Sequence, residues 1–312
     1  MASHSRFVRV LAGLCAVPLA AACVVHAPPD VAAIKAEGMP GVVIPQQWKA
    51  GAGEVQDNWV ASFHDERLAA AVMEAIGKNP DLRVGAARVE QAMLYAKLAG
   101  AKLWPSVDVL ARGGTKLSGD NSGLQGGLLS VNWELDLWAR VRYGRAAAAA
   151  DHASVAADFE YARQSMAATV ARSWFLATEA TLQAGVARAA IRDSEALVQL
   201  AETRARVGAG NDEDIYVSRA SVGTYRDALR ELEFAREQAL RALELLLGRY
   251  PSAEIDVAAT LPALVEGVPA GLPSALLERR PDVIAAERRV AAAFNRVGEA
   301  KAARLPTIAL TT

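Results

Sequence analysis

A stretch near the middle of the chain alternates strictly between apolar and polar residues. The apolar positions are Leu129, Val131, Trp133, Leu135 and Leu137. The polar positions between them are Ser130, Asn132, Glu134 and Asp136. Because successive side chains of a strand point to opposite sides, this pattern predicts a strand with one apolar and one polar face. Such strands occur in soluble sheets and in membrane barrels, where lipid lies outside and water inside.

Directly after this strand, the sequence predicts one very long helix. Residues 139–207 contain no proline and are rich in Ala, Arg, Glu and Leu. Gly208 and Gly210 then break the pattern, and residues 212–248 carry apolar positions at alternating steps of three and four. That heptad spacing predicts a returning helix that forms an antiparallel coiled coil with the long one.

The segment before the strand predicts a helical entry into a β-hairpin. Helices are expected over residues 65–79 and 80–104, and Pro105 ends the second of them. Residues 106–137 form the hairpin, whose strands have the length that a tilted membrane strand needs. A lone hairpin leaves open edges that hydrocarbon does not tolerate, so the chain must recruit strands from a repeat, from other copies, or from both.

An internal repeat follows the returning helix. Residues 65–250 form the first copy, and the proline-rich residues 251–280 form a connector. Residues 281–312 then align without gaps to residues 80–111, with identities at the same prolines. The second copy stops at its first strand, so we expect this chain to be truncated and unable to form a working duct by itself.

The N-terminus has the features of a secretory signal, with basic residues before a short apolar run. Three alanines precede Cys23, which is typical of a bacterial lipobox, although Ala20 replaces the usual leucine. We therefore predict that residues 1–22 are a signal peptide and that Cys23 is acylated. The alternative is simple cleavage that leaves a free thiol. Residues 23–64 contain several prolines and predict an extended tether.

Composition and motifs argue against several function classes. The formal net charge is −1, and no basic domain suggests nucleic-acid binding. The four histidines have no metal-ligand spacing, and no glycine motif fits a nucleotide site. Glu134 and Asp136 could be interpreted as a catalytic acid pair, yet a water-facing strand explains them better. We expect no catalytic residues, no cofactor and no metal.

Three blocks of sequence are distinctive. They are VNWELDLW at residues 131–138, LPSALLERRPDV at residues 272–283 and AERR at residues 286–289. With these blocks, residues 43–312 resemble the outer membrane factor family, the TolC-like, nodulation-type lipoproteins of tripartite resistance-nodulation-division efflux systems. The resemblance implies a mainly α fold, in which long antiparallel coiled-coil helices form a tunnel and hairpin strands join a β-barrel shared by a trimer. The apolar strand positions would then face lipid, and the polar positions would face the aqueous lumen.

The resemblance also implies a location and partners. The protein would be lipid-anchored in the cell outer membrane, with its helices in the periplasm. Its partners would be two further copies, a periplasmic adaptor protein and an inner-membrane transporter. The family's adaptor-contact tip, Val-Gly-Leu, matches Val207 and Gly208 and departs at Ala209, so the predicted contact covers these residues and Gly210. The family's gating residues correspond to positions after Thr312.

These observations favour a transport function over an enzymatic one. The expected function is an outer membrane channel subunit that exports small molecules, such as drugs, by passive conduction. The alternatives are a lipid-anchored periplasmic coiled-coil scaffold, which leaves the alternating hairpin unexplained, and a non-functional truncated product. No feature of the sequence supports an enzyme.

The lipobox generates the first prediction. Cys23→Ala removes the thiol that would be acylated, so we expect it to abolish the incorporation of radiolabelled palmitate while the fold still forms. The label in the immunoprecipitated variant is compared with that in wild type and in Cys15→Ala. The control variant lacks the thiol that lies within the predicted signal. Undiminished labelling of Cys23→Ala would show that the lipobox assignment is wrong.

Overall fold

The computed structural model describes residues 31–38, 40–42, 58–112, 126–263 and 278–312. The helices in these residues are α1 (Val31–Gly38), α2 (Glu66–Lys78), α3 (Pro80–Ala101), α4 (Arg140–Arg206), α5 (Asp212–Leu246) and α6 (Pro281–Ala302). The strands are β1 (Ser106–Arg112), β2 (Gly126–Leu135) and β3 (Ile308–Thr311). The predicted signal peptide and Cys23 lie outside the described residues.

The chain divides into two compact units. The first unit contains residues 1–45, 86–159 and 274–312, and therefore all three strands. The second unit contains residues 46–85 and 160–273. Helix α4, which has 67 residues, contributes to both units.

The second unit is built around an apolar core formed by α2, α4 and α5. Its largest fully buried side chains include Leu68, Val170, Trp174, Leu240 and Leu243. The indole N–H of Trp174 donates to Oδ2 of Asp65 at 3.0 Å. The other oxygen of Asp65 accepts the backbone N–H groups of Arg67 and Leu68 at 3.0 Å. A single carboxylate therefore caps α2 and attaches it to α4.

Ion pairs mark the antiparallel register between α4 and α5. The three cross-helix pairs are Arg188–Glu233, Glu195–Arg226 and Glu202–Arg219. Successive members on each helix are one heptad apart, as the predicted coiled coil requires. Exposed pairs of this kind stabilise a protein by only about 0–1 kcal/mol each, so their main effect is on alignment.

In the first unit, α6 packs closely against the beginning of α4. A β-carbon added to Gly298 would lie 2.7 Å from ring carbons of Tyr143, so this contact requires glycine. Two further ion pairs, Asp151–Arg296 and Asp158–Arg289, are again one heptad apart and antiparallel. Ion pairs one heptad apart therefore align α6 with α4, as they align α5 with α4.

The repeated helices α3 and α6 have the same length of 22 residues. After each helix, the backbone N–H of Trp104 or Leu305 bonds at 3.0 Å to the carbonyl three residues earlier. Helix α3 ends at Ala101 rather than at the predicted residue 104, because a residue that precedes proline is disfavoured in the helical conformation. The two copies therefore enter their strands through the same turn.

The predicted tether over residues 23–64 is not extended throughout. Residues 31–38 form α1, since alanine, lysine and glutamate are strong helix formers. Trp59–Phe63 forms a 3₁₀ helix. The ring of Phe63 packs edge-on against Phe175 at a centroid distance of 5.0 Å, and this contact attaches the segment to α4.

A buried carboxylate closes the second unit where α5 ends. Glu244 is 2% exposed and accepts the backbone N–H groups of Ala253, Glu254 and Ile255 at 2.7, 2.8 and 2.9 Å. Gly248, with φ of +72°, ends α5 and turns the chain back towards this carboxylate. Burial acts to raise the pKa of Glu244, but the backbone hydrogen bonds outweigh burial and hold the pKa below its usual value of 4.5.

Replacing this carboxylate should destabilise the fold. Glu244→Gln keeps the shape but removes the charge and one acceptor, so we expect the free energy of unfolding to fall by about 2–4 kcal/mol at pH 7. Because the folded-state pKa is lowered, this contribution is present above pH 4.5 and is lost as the pH falls through the lowered pKa. The measurement is urea unfolding of purified protein as a function of pH.

Glu237→Gln is the matched control for this prediction. Glu237 lies on the same helix and pairs with Arg241 four residues later, but its side chain is 48% exposed. Its loss should cost less than about 0.5 kcal/mol at any pH. Equal effects of the two substitutions at pH 7 would contradict the structural importance assigned to Glu244.

Candidate functional site

The three strands form one antiparallel sheet in the order β1-β2-β3. Val109 pairs with Leu129 within the hairpin, and Leu135 pairs with Ile308 of the strand that follows α6. Both copies of the repeat therefore contribute to one sheet. In the part of the chain that the structure describes, the outer edges of β1 and β3 have no strand partner.

One face of this sheet is apolar across all three strands. Residues that are paired between antiparallel strands lie on the same face, so the register extends the pattern seen in β2. This face carries Val107, Val109, Leu129, Val131, Trp133, Leu135, Ile308 and Leu310. Several of its side chains are strongly exposed, with Val109 at 74% and Leu129 at 63%. An exposed apolar surface of this extent marks a contact with lipid or protein.

The opposite face is polar over part of its length. It carries Ser106, Asp108, Ser130, Asn132, Glu134 and Thr311. Nearer the loop of the hairpin, Leu110 pairs with Leu128 on this same face. The predicted polar positions Ser130, Asn132 and Glu134 thus share one face, and the polar character ends before Leu128.

The second strand ends at Leu135, two residues before the predicted end. Oδ1 and Oδ2 of Asp136 accept the backbone N–H groups of Val141 and Arg142, both at 2.9 Å. These donors belong to the first turn of α4, where a carboxylate satisfies unpaired N–H groups and the positive end of the helix dipole. The assignment of Asp136 and Leu137 to the strand is therefore wrong, because the helix terminus recruits the carboxylate.

Two arginines hold the acids of the strand-to-helix junction. Glu134 accepts the Nε of Arg140 at 2.9 Å and also its Nη2, in a two-point contact. Asp136 accepts the Nε of Arg142 at 3.1 Å. Each acid is thus paired with the arginine six residues later, which does not favour a catalytic pair. Neither arginine was predicted from the sequence, although the repeated spacing of six residues is visible there.

Two tryptophans connect β2 and its junction to the helix-to-strand turns. The indole N–H of Trp133 donates to the carbonyl of Leu103 at 3.1 Å, in the first copy of the repeat. The indole N–H of Trp138 donates to the carbonyl of Pro306 at 2.8 Å, in the second copy. The two side chains therefore fix β2 against the entry of both neighbouring strands.

The predicted tip, residues 207–210, forms a compact turn at the end of α4. Gly208 has φ of +73°. Its N–H donates to the carbonyl of Ala205 at 3.1 Å, and the N–H of Ala209 donates to the carbonyl of Arg204 at 2.8 Å. These bonds define a Schellman motif, which needs glycine at the left-handed position. A β-carbon on Gly210 would lie 3.1 Å from that of Arg204, so the second glycine permits the tight return.

The surface of the tip is exposed and carries opposite charges on its two sides. Val207 is 71% exposed. Arg204 and Arg206 lie in the last turn of α4, and Asp212, Glu213 and Asp214 lie in the first turn of α5. The side-chain oxygen of Asn211 accepts the N–H of Asp214 at 2.8 Å and caps α5. The turn is thus fixed by hydrogen bonds at both helix ends.

Comparison with known proteins identifies the family. Residues 71–249 match the family model described as "Outer membrane efflux protein". The chain belongs to the outer membrane efflux protein family. The matched range contains β1, β2, the strand-to-helix junction and the tip, and the resemblance noted in the sequence is confirmed.

Several relatives in this family have names that state an export function. The cation efflux system protein CusC of Escherichia coli is 27% identical, over 88% of this chain and 62% of its own length. The pyoverdine export outer membrane protein OpmQ of Pseudomonas aeruginosa is 31% identical, over 87% of this chain and 61% of its own. The chain therefore spans less than two thirds of the length of these relatives.

A solved structure agrees with the family assignment. The outer-membrane channel OprN matches with a TM-score of 0.71 and 26% identity, covering 87% of this chain and 66% of that one. The mainly α fold with long antiparallel helices and a membrane β-hairpin is thus confirmed, as is the location at the outer membrane. The matched proteins are efflux and channel proteins rather than enzymes.

Two features are absent from the described residues. No helix among them is both long enough and apolar enough to cross a membrane. No group of three or more His, Cys, Asp or Glu side chains is arranged there to hold a metal ion.

The register of the sheet predicts which side chains meet water. In cells, single cysteines at Asp108, Ser130 and Asn132 should react with a membrane-impermeant maleimide, while cysteines at their neighbours Val107, Leu129 and Val131 should not. The reason is that lipid would cover one face and water the other. Labelling is measured by the mass shift of the protein relative to the unsubstituted chain. Equal labelling of both sets would exclude a membrane wall.

Proposed function

We propose that this protein is the outer membrane channel subunit of a tripartite efflux pump. The observation that carries the proposal is the sheet β1-β2-β3, which has an exposed apolar face and unpaired outer edges in the described chain. A surface of this kind suits a barrel wall, with lipid on one side and water on the other.

Closure of that barrel supports a homotrimer. Unpaired backbone groups in hydrocarbon cost several kcal/mol each, so membrane strands occur in closed barrels. Neighbouring copies can supply the partners that the free edges of β1 and β3 need. The helices α3 to α6 would then extend into the periplasm as the tunnel beneath the barrel.

The tip is the surface proposed to contact a periplasmic adaptor protein. Val207 and Ala209 are exposed on a turn that two glycines and an N-cap hold in one shape. A preorganised turn loses little conformational entropy when it binds. Through the adaptor, the channel would work with an inner-membrane resistance-nodulation-division transporter.

The cargo is proposed to be small molecules such as drugs, which leave by passive conduction. The polar face of the sheet offers single hydroxyl, amide and carboxylate groups rather than an enclosed pocket. Such a wall suits a channel that conducts many compounds. The names of CusC and OpmQ add cations and pyoverdine to the candidate cargo.

A matched pair of lysine variants tests this function. In a host that lacks its own outer membrane factor, the chain extended through a complete second copy of the repeat should restore heat-modifiable trimers in the outer membrane and the export of dyes, drugs or cations. The two variants are made in this extended chain. Val131→Lys puts a charge on the proposed lipid face at a cost of about 2–4 kcal/mol near the midplane, so trimers and export should fall together. Asn132→Lys, one residue later on the other face, should keep its trimers.

Two outcomes would contradict the proposal. An extended chain without substitutions that forms no outer membrane trimers would exclude a shared barrel. Trimers without any change in the accumulation of dyes, drugs or cations would favour the periplasmic scaffold instead.

A further inference from the structure

A groove lies between α3 and the first turns of α4, within the first unit. It has a volume of about 630 Å³, and its floor includes Met93, Ala96 and Gly100. Two basic side chains, Lys97 and Arg145, and the indole of Trp104 complete its walls. The groove therefore combines an apolar floor with two cations and an aromatic ring.

The two cations of this groove have no counterion in the described chain. Nearby on α4, Arg140 and Arg142 are held by Glu134 and Asp136. Lys97 and Arg145 are exposed, and among the described residues no carboxylate lies within ion-pair distance of either. Unpaired cations beside an apolar surface favour a ligand that carries both a negative charge and a hydrocarbon part.

The position of the groove along the chain suggests where that ligand comes from. Helix α3 ends at Ala101, and β1 begins at Ser106. Lys97 is one turn before the end of α3, or about 6 Å along the helix axis. A β-carbon on Gly100 would lie 3.8 Å from Cδ of Arg145, so the two helices meet at this level.

This level corresponds to a headgroup layer if β1 crosses the hydrocarbon. The polar layer on each side of a bilayer is roughly 5–8 Å deep, which matches the distance from the helix end to Lys97. Trp104 is 75% exposed at the start of that layer, where tryptophan is commonly found in membrane proteins. Lysine and arginine at such positions reach towards lipid phosphates.

We propose that this groove binds one anionic phospholipid from the inner leaflet of the outer membrane. Lys97 and Arg145 would bind its phosphate group, and one acyl chain would lie on the floor formed by Met93, Ala96 and Gly100. The inference rests on the proposed membrane sheet. Charge selects this occupant, because a zwitterionic lipid offers the two cations no net negative charge.

The experiment uses the full chain, reconstituted in nanodiscs that contain phosphatidylglycerol and phosphatidylethanolamine and then released from them. Native mass spectrometry should find phosphatidylglycerol retained by wild type in preference to phosphatidylethanolamine. The double variant Lys97→Gln/Arg145→Gln should retain at least tenfold less of it. The control Arg172→Gln/Arg192→Gln makes the same change of charge at exposed positions of α4 and should retain as much as wild type.

Two further measurements separate the alternative occupants. Millimolar inorganic phosphate should leave phosphatidylglycerol bound, whereas its release would indicate a simple anion site and overturn the lipid proposal. A photo-crosslinking residue at Ala149, which also lines the groove, should give an adduct with the mass of phosphatidylglycerol. A covalent dimer instead would assign the groove to a second copy of the chain.

The failure of this inference differs from the failure of the proposed function. Wild-type protein that retains no phosphatidylglycerol, or that retains both lipids equally, would overturn the lipid site alone. Equal retention by the double variant and its control would do the same. Absence of trimers of the extended chain from the outer membrane would instead contradict the proposed channel.

Discussion

Antiparallel register along α4 is the constraint on which the packing of both units depends. Between α4 and α5, a slip by one heptad would put Arg188 opposite Arg226 in one direction and Glu195 opposite Glu233 in the other. Each slip therefore creates a like-charge pair, although the native pairs contribute little stability individually. The same spacing recurs between α4 and α6, where Gly298 admits the ring of Tyr143. The native register is therefore favoured by the ion pairs it forms and by the like-charge contacts it avoids.

The sheet depends on a second constraint, which concerns its backbone. The alternation in β2 continues into β1 and β3 because the pairing aligns residues of the same kind on one face. Trp133 and Trp138 then hold the two helix-to-strand turns with their indole N–H groups. The internal repeat is therefore visible in three dimensions as two similar turns on either side of one strand.

The strand-to-helix junction shows how one short sequence serves two elements. Glu134 belongs to the polar face of β2, yet its carboxylate also holds Arg140 on the first turn of α4. Asp136 has left the strand and supplies the negative charge at the N-terminus of that helix. This arrangement joins β2 to a 67-residue helix without an unpaired acid at the boundary. Ala139, just before the helix, has φ of +63° and is buried, so the turn there is strained.

The sequence alone determined the elements, their faces, the repeat and the family, because periods of two and of three and a half residues are local properties. It placed the ends of α4 and the glycine turn within one residue, since glycine and asparagine act on their own neighbourhood. Only the tertiary structure decided which groups pair. The pairing of β2 with β3 depends on contacts between distant segments. The removal of Asp136 from the strand and the burial of Glu244 depend on which backbone N–H groups, 5 to 11 residues later in the chain, the fold brings to each carboxylate. A periodic pattern specifies which side of an element is buried, but it does not specify which donor lies 3 Å from a given oxygen.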